Sequence, residues 1–157
     1  MSVKEFVLKK LEENRGIPLS GEAIANSLSV SRAAVWKAVR ALEAEGYHIE
    51  AVPNQGYTLC TDNDLLSTQG ILPYLNPPLK SREIRVFPCL PSTNQEAKRM
   101  ALESAEQGSA VLAEEQSAGR GRLGRSFFSP RGNGLYMSVI LRPKALSLIH
   151  ISEPTRH

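Results

Sequence analysis

The run Gln116-Ser117-Ala118-Gly119-Arg120-Gly121-Arg122-Leu123-Gly124-Arg125 concentrates the chain's capacity for chemistry, with three glycines and three arginines in ten residues. Glycine lets a loop take positive φ and bring its backbone close to a ligand. Arginine supplies permanent charge and a planar donor fork matched to phosphate and carboxylate. Together they suit a mobile loop that closes on a phosphate-bearing ligand. From Gln116 to Pro143 there are five arginines (120, 122, 125, 131 and 142) and no acid, so the region is cationic although the whole chain carries only +3.

The loop matches G-x-G-x-x-G, a dinucleotide fingerprint that needs a helix directly after it. Ser126-Phe127-Phe128-Ser129-Pro130 is a poor helix start, and Gly132 and Gly134 follow. The loop also comes near G-x-x-x-x-G-K-[ST], with Arg125 in the lysine position and Ser126 after it. The missing helix again argues against it, because a helix N-terminus forms half of that phosphate site. A solvated basic turn is the plain alternative. The flanks favour an arginine-rich ligand loop between strands: Ala110-Val111-Leu112-Ala113 before it and Leu135 to Leu141 after it are both strand-like.

The elements that must hold this loop are few. A chain of 157 residues accommodates one ordinary domain, or a small domain plus part of another. No apolar run reaches the roughly 20 residues needed to span a bilayer. The segment Met1-Ser2-Val3-Lys4-Glu5 lacks the apolar core of a signal peptide. Cys60 and Cys89 are isolated, with no CxxC and no histidine at ligand spacing, so neither a metal site nor a disulfide framework is expected. A cytoplasmic protein with reduced thiols is the expected setting.

Upstream, Val3, Phe6, Val7 and Leu11 recur at helical spacing. Gly16-Ile17-Pro18 breaks that helix, and Ser20 can cap a second one carrying Ile24 and Leu28. After the Ser29-Val30 turn, Ser31 can cap a third helix from Arg32 toward Gly46, with Val35, Val39 and Leu42 on its buried face. Residues 31–42 include Arg32, Lys37 and Arg40 and no acid. Two short helices joined by a tight turn, the second small and basic, fit helix-turn-helix geometry. Ala33 and Ala34 would allow close entry into a major groove. Tyr47 to Val52, the turn Pro53-Asn54-Gln55-Gly56, and Tyr57-Thr58-Leu59 form a hairpin signal that reads as a wing. The candidate DNA contacts are Ser31, Arg32, Ala33, Ala34, Trp36, Lys37 and Arg40, although the size and helical position of Trp36 suit packing better. His48 reads as a surface residue. Residues 1–60 hold seven basic and seven acidic side chains, so DNA affinity, which rests on phosphate contacts, needs dimerisation or local concentration of charge.

Thr61 to Asp64 is polar and turn-like, Leu65 to Leu75 can form a short helix, and Asn76-Pro77-Pro78 closes it. Glu83 to Phe87 reads as a strand, followed by the polar turn Ser92-Thr93-Asn94 and an amphipathic helix from Gln95 to Glu106. A serine or threonine before a helix ordinarily caps it. Three such polar residues in a row also suit a buried ligand with a ureido or amide group.

Taken together, these segments resemble the bacterial bifunctional biotin–protein ligase and biotin operon repressor family. The most specific match is Ala118 to Arg125 followed by Ser129-Pro130 and Asn133-Gly134-Leu135-Tyr136, joined by Ser92-Thr93-Asn94 and by the winged-helix segment Ser20 to Leu59. The resemblance implies an α+β chain. Residues 1–60 would be a winged helix-turn-helix and 61–80 a linker, with 81–145 the start of a mixed-sheet α/β ligase domain. It implies ATP-dependent formation of biotinyl-adenylate, with Mg2+ accompanying ATP, and transfer of biotin to a lysine of a biotin carboxyl carrier protein. Ser92, Thr93, Asn94, Gln116, Arg120, Gly121 and Arg122 would then contact biotin or adenylate. Arg120, Arg122 and Arg125 would stabilise charge on the transferring group, while loop closure keeps water from the mixed anhydride. The adenylate would also act as corepressor, favouring a homodimer on a two-half-site operator. No membrane partner is implied. A purely regulatory winged-helix protein with a small-molecule sensor domain is the alternative.

Two departures accompany the resemblance. Phe127 stands where the family has tryptophan, which keeps an aromatic wall and loses an N–H donor. The family's Lys-Trp-Pro-Asn-Asp block is absent, so the ligase domain is expected to be truncated and inactive, and residues 80–145 aggregation-prone. Residues 146–156, LSLIHISEPTR, match one reading frame of a common transposon-type sequencing adapter, so 146–157 is expected to be a non-native tail.

Overall fold

A computed structural model of the protein describes residues 2–121, 123 and 125–143. The chain divides into two compact units, residues 1–80 and 81–157. Arg122 and the expected adapter-derived tail, 146–157, lie outside the described residues.

The first unit opens with α1 (Val3–Glu13), α2 (Gly21–Leu28) and α3 (Arg32–Ala44). Each start is fixed by a serine. Ser2 and Glu5 form a reciprocal capping box on α1, Ser20 Oγ accepts from Ala23 N, and Ser31 Oγ accepts from Ala34 N. Ser29, at φ 54°, turns the chain out of α2 in the left-handed conformation. β1 (Ile49–Val52) and β2 (Gly56–Leu59) pair antiparallel, with Ile49 opposite Leu59 and Glu50 opposite Thr58. The α1–α2 connection adds a third short rung, since Leu19 and Tyr57 exchange backbone hydrogen bonds of 2.9 Å. Val7, Leu11, Val35, Val39, Leu42 and Leu59 are fully buried and form the core of this unit.

Residues 61–80 belong to this same compact unit. They form α4 (Thr68–Ile71), a 3-10 turn over Leu72–Tyr74, and α5 (Pro77–Lys80). Pro73 falls inside the expected 65–75 helix, and only one α-helical turn survives before it. The attachment to α1 is polar and part-buried. Glu12, whose side chain is 1% exposed, receives Arg15 Nε at 2.5 Å, and Arg15 Nη1 reaches Asn63 O at 2.7 Å. Glu12 raises the Arg15 pKa above its ordinary value.

The second unit is built on a mixed sheet in the order β3 (Ile84–Phe87), β4 (Ala110–Ala113), β5 (Tyr136–Val139). β3 and β4 run parallel, joined through α6 (Thr93–Leu102), and β4 and β5 run antiparallel. A parallel pair requires such a crossover. All four residues of β4 are buried, as the central strand demands, and Met100 and Ala97 of α6 pack with Val111, Ala113 and Ile140. β5 alternates, with Tyr136 and Ser138 half-buried and Met137 and Val139 exposed.

Candidate functional site

In the second unit, the segment after β4 runs beside the turn after β3. Leu90 N donates to Glu115 O at 3.2 Å, Ser117 N to Leu90 O at 3.0 Å, and Ala118 N to Pro91 O at 2.9 Å. This pairing delivers Gln116 to the start of α6. Gln116 Oε1 accepts from both Thr93 N, at 2.8 Å, and Thr93 Oγ1, at 3.1 Å. Its Nε2 donates to Ser129 Oγ at 3.1 Å. Ser138 Oγ, arriving from β5, donates to Thr93 Oγ1 at 2.9 Å. Thr93, Gln116, Ser129 and Ser138 therefore form one hydrogen-bonded network across three connections. Ser92, Thr93 and Ser129 are buried, while Asn94 is exposed. Ser92 stands at the cap position of α6 but makes no side-chain capping hydrogen bond, and the helix begins at Thr93 rather than Gln95.

Above this network the arginine-rich run folds back on itself. Phe127 N donates to Gly119 O at 2.9 Å and Gly121 N to Arg125 O at 2.8 Å, with a further bridge between Arg120 and Ser126. Gly119 is required by close approach, since a Cβ there would lie 2.4 Å from Phe127 O and 2.6 Å from Ser129 Oγ. The tip carries Leu123 at φ 58° and 96% exposed, and Phe127 and Phe128 are exposed at its base. No helix follows among the described residues, in agreement with the rejection of both glycine fingerprints.

The arginines separate into two kinds. Arg131 pairs with Glu114 at 2.6 Å, and Arg142 donates to the carbonyls of Ala101 and Ala105 at the end of α6, at 2.8 and 3.0 Å. These two are engaged by partners within the unit. Arg120 and Arg125 are exposed, and no acid pairs with either among the described residues. Gly121 lies in the same exposed hairpin.

Ser129 and Ser138 were not among the candidate site residues. The signal for Ser138 is its phase: in an alternating strand it shares the inward side with Tyr136. Ser129 has no comparable local signal, because its partner in the network, Gln116, is thirteen residues away.

The first unit places its candidate residues on one helical stripe. Arg32, Ala33, Trp36, Lys37 and Arg40 are exposed, Ala34 is half-buried, and Ser31 caps the helix that carries them. Trp36 is 57% exposed, so the expectation that it packs is wrong. Val35, Val39 and Leu42 set the buried face, and position 36 is turned away from it. Arg40 is tied to Glu43 at 2.8 Å, while no acid pairs with Arg32 or Lys37 among the described residues. A groove runs between Ser20-Gly21-Glu22, Arg32 and the wing residues Ala51 to Tyr57.

Comparison with known proteins agrees with both units. Residues 3–58 match the model of an HTH domain, and residues 86–151 match that of the biotin/lipoate A/B protein ligase family. The two matched segments follow one another along the chain and fall one in each compact unit. The bifunctional ligase/repressor BirA of Bacillus subtilis is 40% identical over 125 residues, covering 80% of this chain and 38% of that protein. The bifunctional ligase/repressor BirA of Escherichia coli is 39% identical over 123 residues, covering 78% of this chain and 37% of that protein. The chain thus spans less than two fifths of the length of these relatives. The polar network and the arginine hairpin both fall within residues 86–151, which match the ligase model, and the basic stripe within residues 3–58, which match the HTH model. No helix among the described residues is long and apolar enough to cross a membrane.

Proposed function

We propose that the chain carries the operator-reading and adenylate-closing parts of a cytoplasmic biotin–protein ligase that doubles as a biotin-responsive repressor. The observation that carries this reading is the part-buried Thr93–Gln116–Ser129–Ser138 network lying at the base of a hairpin whose Arg120 and Arg125 have no acidic partner among the described residues. A hydrogen-bonded polar turn beside exposed cations suits a ligand with a neutral polar head and a phosphate.

The substrates are biotin and ATP, with Mg2+ accompanying the nucleotide. The biotin carboxylate attacks the α-phosphorus of ATP and displaces pyrophosphate, giving biotinyl-adenylate. A lysine amine of a biotin carboxyl carrier protein then attacks the acyl carbon, loses a proton, and displaces AMP. Negative charge on the phosphoryl group is stabilised by Arg120, Arg122 and Arg125, which act as fixed charges rather than nucleophiles. Ser92, Thr93 and Asn94 form the polar turn beneath the biotin head, and Gln116 holds that turn by its two bonds to Thr93. Gly121 lets the backbone approach the adenylate. Ordering of the hairpin by adenylate favours the homodimer, which places two copies of the α3 stripe on an operator with two half-sites.

The test is incubation with biotin, MgATP and a carrier domain, with adenylate and biotinylated carrier read separately. This chain is compared with one extended to the length of its curated relatives. Transfer by the extended chain that falls when Arg120 is replaced by alanine is the expected result. An extended, folded chain that forms no adenylate would refute the ligase reading.

A further inference from the structure

The stem of the wing holds a second group of chemistry-bearing side chains, remote in sequence from the arginine hairpin. His48 precedes β1, Glu50 lies within it, and Cys60 follows β2. The antiparallel register brings them together. Ile49 faces Leu59, Glu50 faces Thr58, and Cys60 N donates to His48 O at 2.9 Å. Ile49 and Leu59 are buried, so His48, Glu50 and Cys60, one position away on their strands, emerge on the opposite face. One ligand atom from each of the three lies within 4.8 Å of the other two. Both carboxylate oxygens of Asp62 stand 3.3 Å from His48 Nδ1. Among the described residues this is the one such grouping of histidine, cysteine and carboxylate.

We propose that the wing stem binds a divalent cation of the zinc class through His48, Glu50 and Cys60, with Asp62 beside the imidazole. The donor set decides the class. An imidazole nitrogen, a thiolate sulfur and a carboxylate oxygen together suit a borderline-soft tetrahedral ion. Calcium and magnesium require oxygen ligands throughout. Binding takes the thiol proton of Cys60, which passes to solvent as the metal–sulfur bond forms. A carboxylate beside a metal-binding imidazole fixes the ring's orientation and tautomer, the role assigned here to Asp62. Because the ligands come from both strands, the ion closes the open end of a two-stranded ribbon opposite its turn. The wing would be stiffened at the point where the chain leaves it.

The test uses the full chain with Co2+ and Zn2+ as probes. One Co2+ per chain should bind and produce thiolate-to-cobalt charge-transfer absorption, which Zn2+ then removes. Cys60→Ser should abolish the absorption and Cys89→Ser should leave it. Asp62→Asn should weaken binding about 10–100-fold, as loss of a ligand-orienting group does. A second measurement needs no variant: Zn2+ should slow alkylation of Cys60, followed by mass spectrometry, and leave Cys89 unaffected. The proposal is overturned if the absorption persists in Cys60→Ser, if it is lost in Cys89→Ser, or if Zn2+ leaves the alkylation of Cys60 unchanged.

Discussion

Gln116 Oε1 takes two hydrogen bonds from a single residue, the backbone N–H of Thr93 at 2.8 Å and its hydroxyl at 3.1 Å. The first satisfies one of the free amides at the start of α6, a task that the side chain of Ser92 does not perform. A helix N-terminus is thus capped from a loop twenty-three residues away. Gln116→Ala should leave that buried amide unpaired and cost about 1–3 kcal/mol. Faster hydrogen exchange at Thr93, read by mass spectrometry, checks this. Gln116→Glu keeps the acceptor and loses only the donor to Ser129, so its effect should be smaller.

The two kinds of arginine should separate in mutagenesis. Arg142→Ala removes the donors to the carbonyls of Ala101, in α6, and Ala105, just beyond it, and should destabilise the second unit by about 0.5–1.5 kcal/mol, the net worth of a typical hydrogen bond. Arg120→Ala and Arg125→Ala remove exposed charges and should change stability by no more than about 0.5 kcal/mol. Their effect should be on adenylate affinity instead. Denaturant midpoints for the three variants, beside calorimetric titration with a biotinyl-adenylate analogue, distinguish the groups. Equal loss of stability in Arg120→Ala and Arg142→Ala would remove the distinction.

The parts of the fold legible in the sequence are those set by near neighbours. Ser20 and Ser31 cap their helices because each hydroxyl meets an amide three residues on. The wing follows from two short strands and an Asn-Gln-Gly turn. What escaped depends on distant contacts. α6 starts at Thr93 because Gln116 holds it there, and no local pattern encodes that. Trp36 is exposed although its bulk argues for burial, because the phase of Val35, Val39 and Leu42 decides which side faces the core. His48 and Cys60 have no ligand spacing along the chain, and only the strand register makes them neighbours. The arginines between Gln116 and Pro143 look alike in sequence, and only Glu114 and the carbonyls of Ala101 and Ala105 show which of them have partners within the unit.

Acid should weaken the second unit through Glu96. Its carboxyl is held below its ordinary value of 4.5, first by the hydrogen bond from Arg99 and then by that from Arg85. A carboxyl depressed in the folded state stabilises that state above its unfolded pKa, and the contribution is lost as pH falls through the folded value. The loss therefore develops below pH 4.5. Glu96→Gln should be less stable than the unsubstituted chain at neutral pH and should show a flatter acid limb. Urea midpoints across the acid range test both. An acid limb of unchanged steepness would show that other carboxyls carry it.

Gly56 should be the least replaceable residue of the wing. Its φ of +116° already disfavours any side chain, and a Cβ would fall 1.9 Å from Leu19 O. That oxygen accepts the Tyr57 amide, so the backbone cannot move aside without breaking the third rung of the wing sheet. Gly56→Ala should therefore cost more than the roughly 1–3 kcal/mol typical of overpacking alone. Thermal unfolding followed by Trp36 fluorescence, which reports the first unit, would measure it. A midpoint within experimental error of the parent would contradict this account.

The α3 stripe permits a test in which stability and DNA binding move independently. Trp36 is 57% exposed, so Trp36→Ala should alter stability by no more than about 0.5 kcal/mol. A tryptophan that packs within the domain would cost several times that. Lys37→Ala should lower the salt dependence of DNA binding by about one phosphate contact, a change of roughly 0.9 in the slope of log K against log salt. Arg40→Ala should do less, because Glu43 already occupies its guanidinium at 2.8 Å. Fluorescence anisotropy on a labelled two-half-site duplex, across a salt series, reads these slopes. If Trp36→Ala weakens DNA binding at unchanged stability, the ring lies in the interface. If Lys37→Ala and Arg40→Ala shift the slope equally, the pairing with Glu43 does not survive on DNA, and the stripe presents three free cations rather than two.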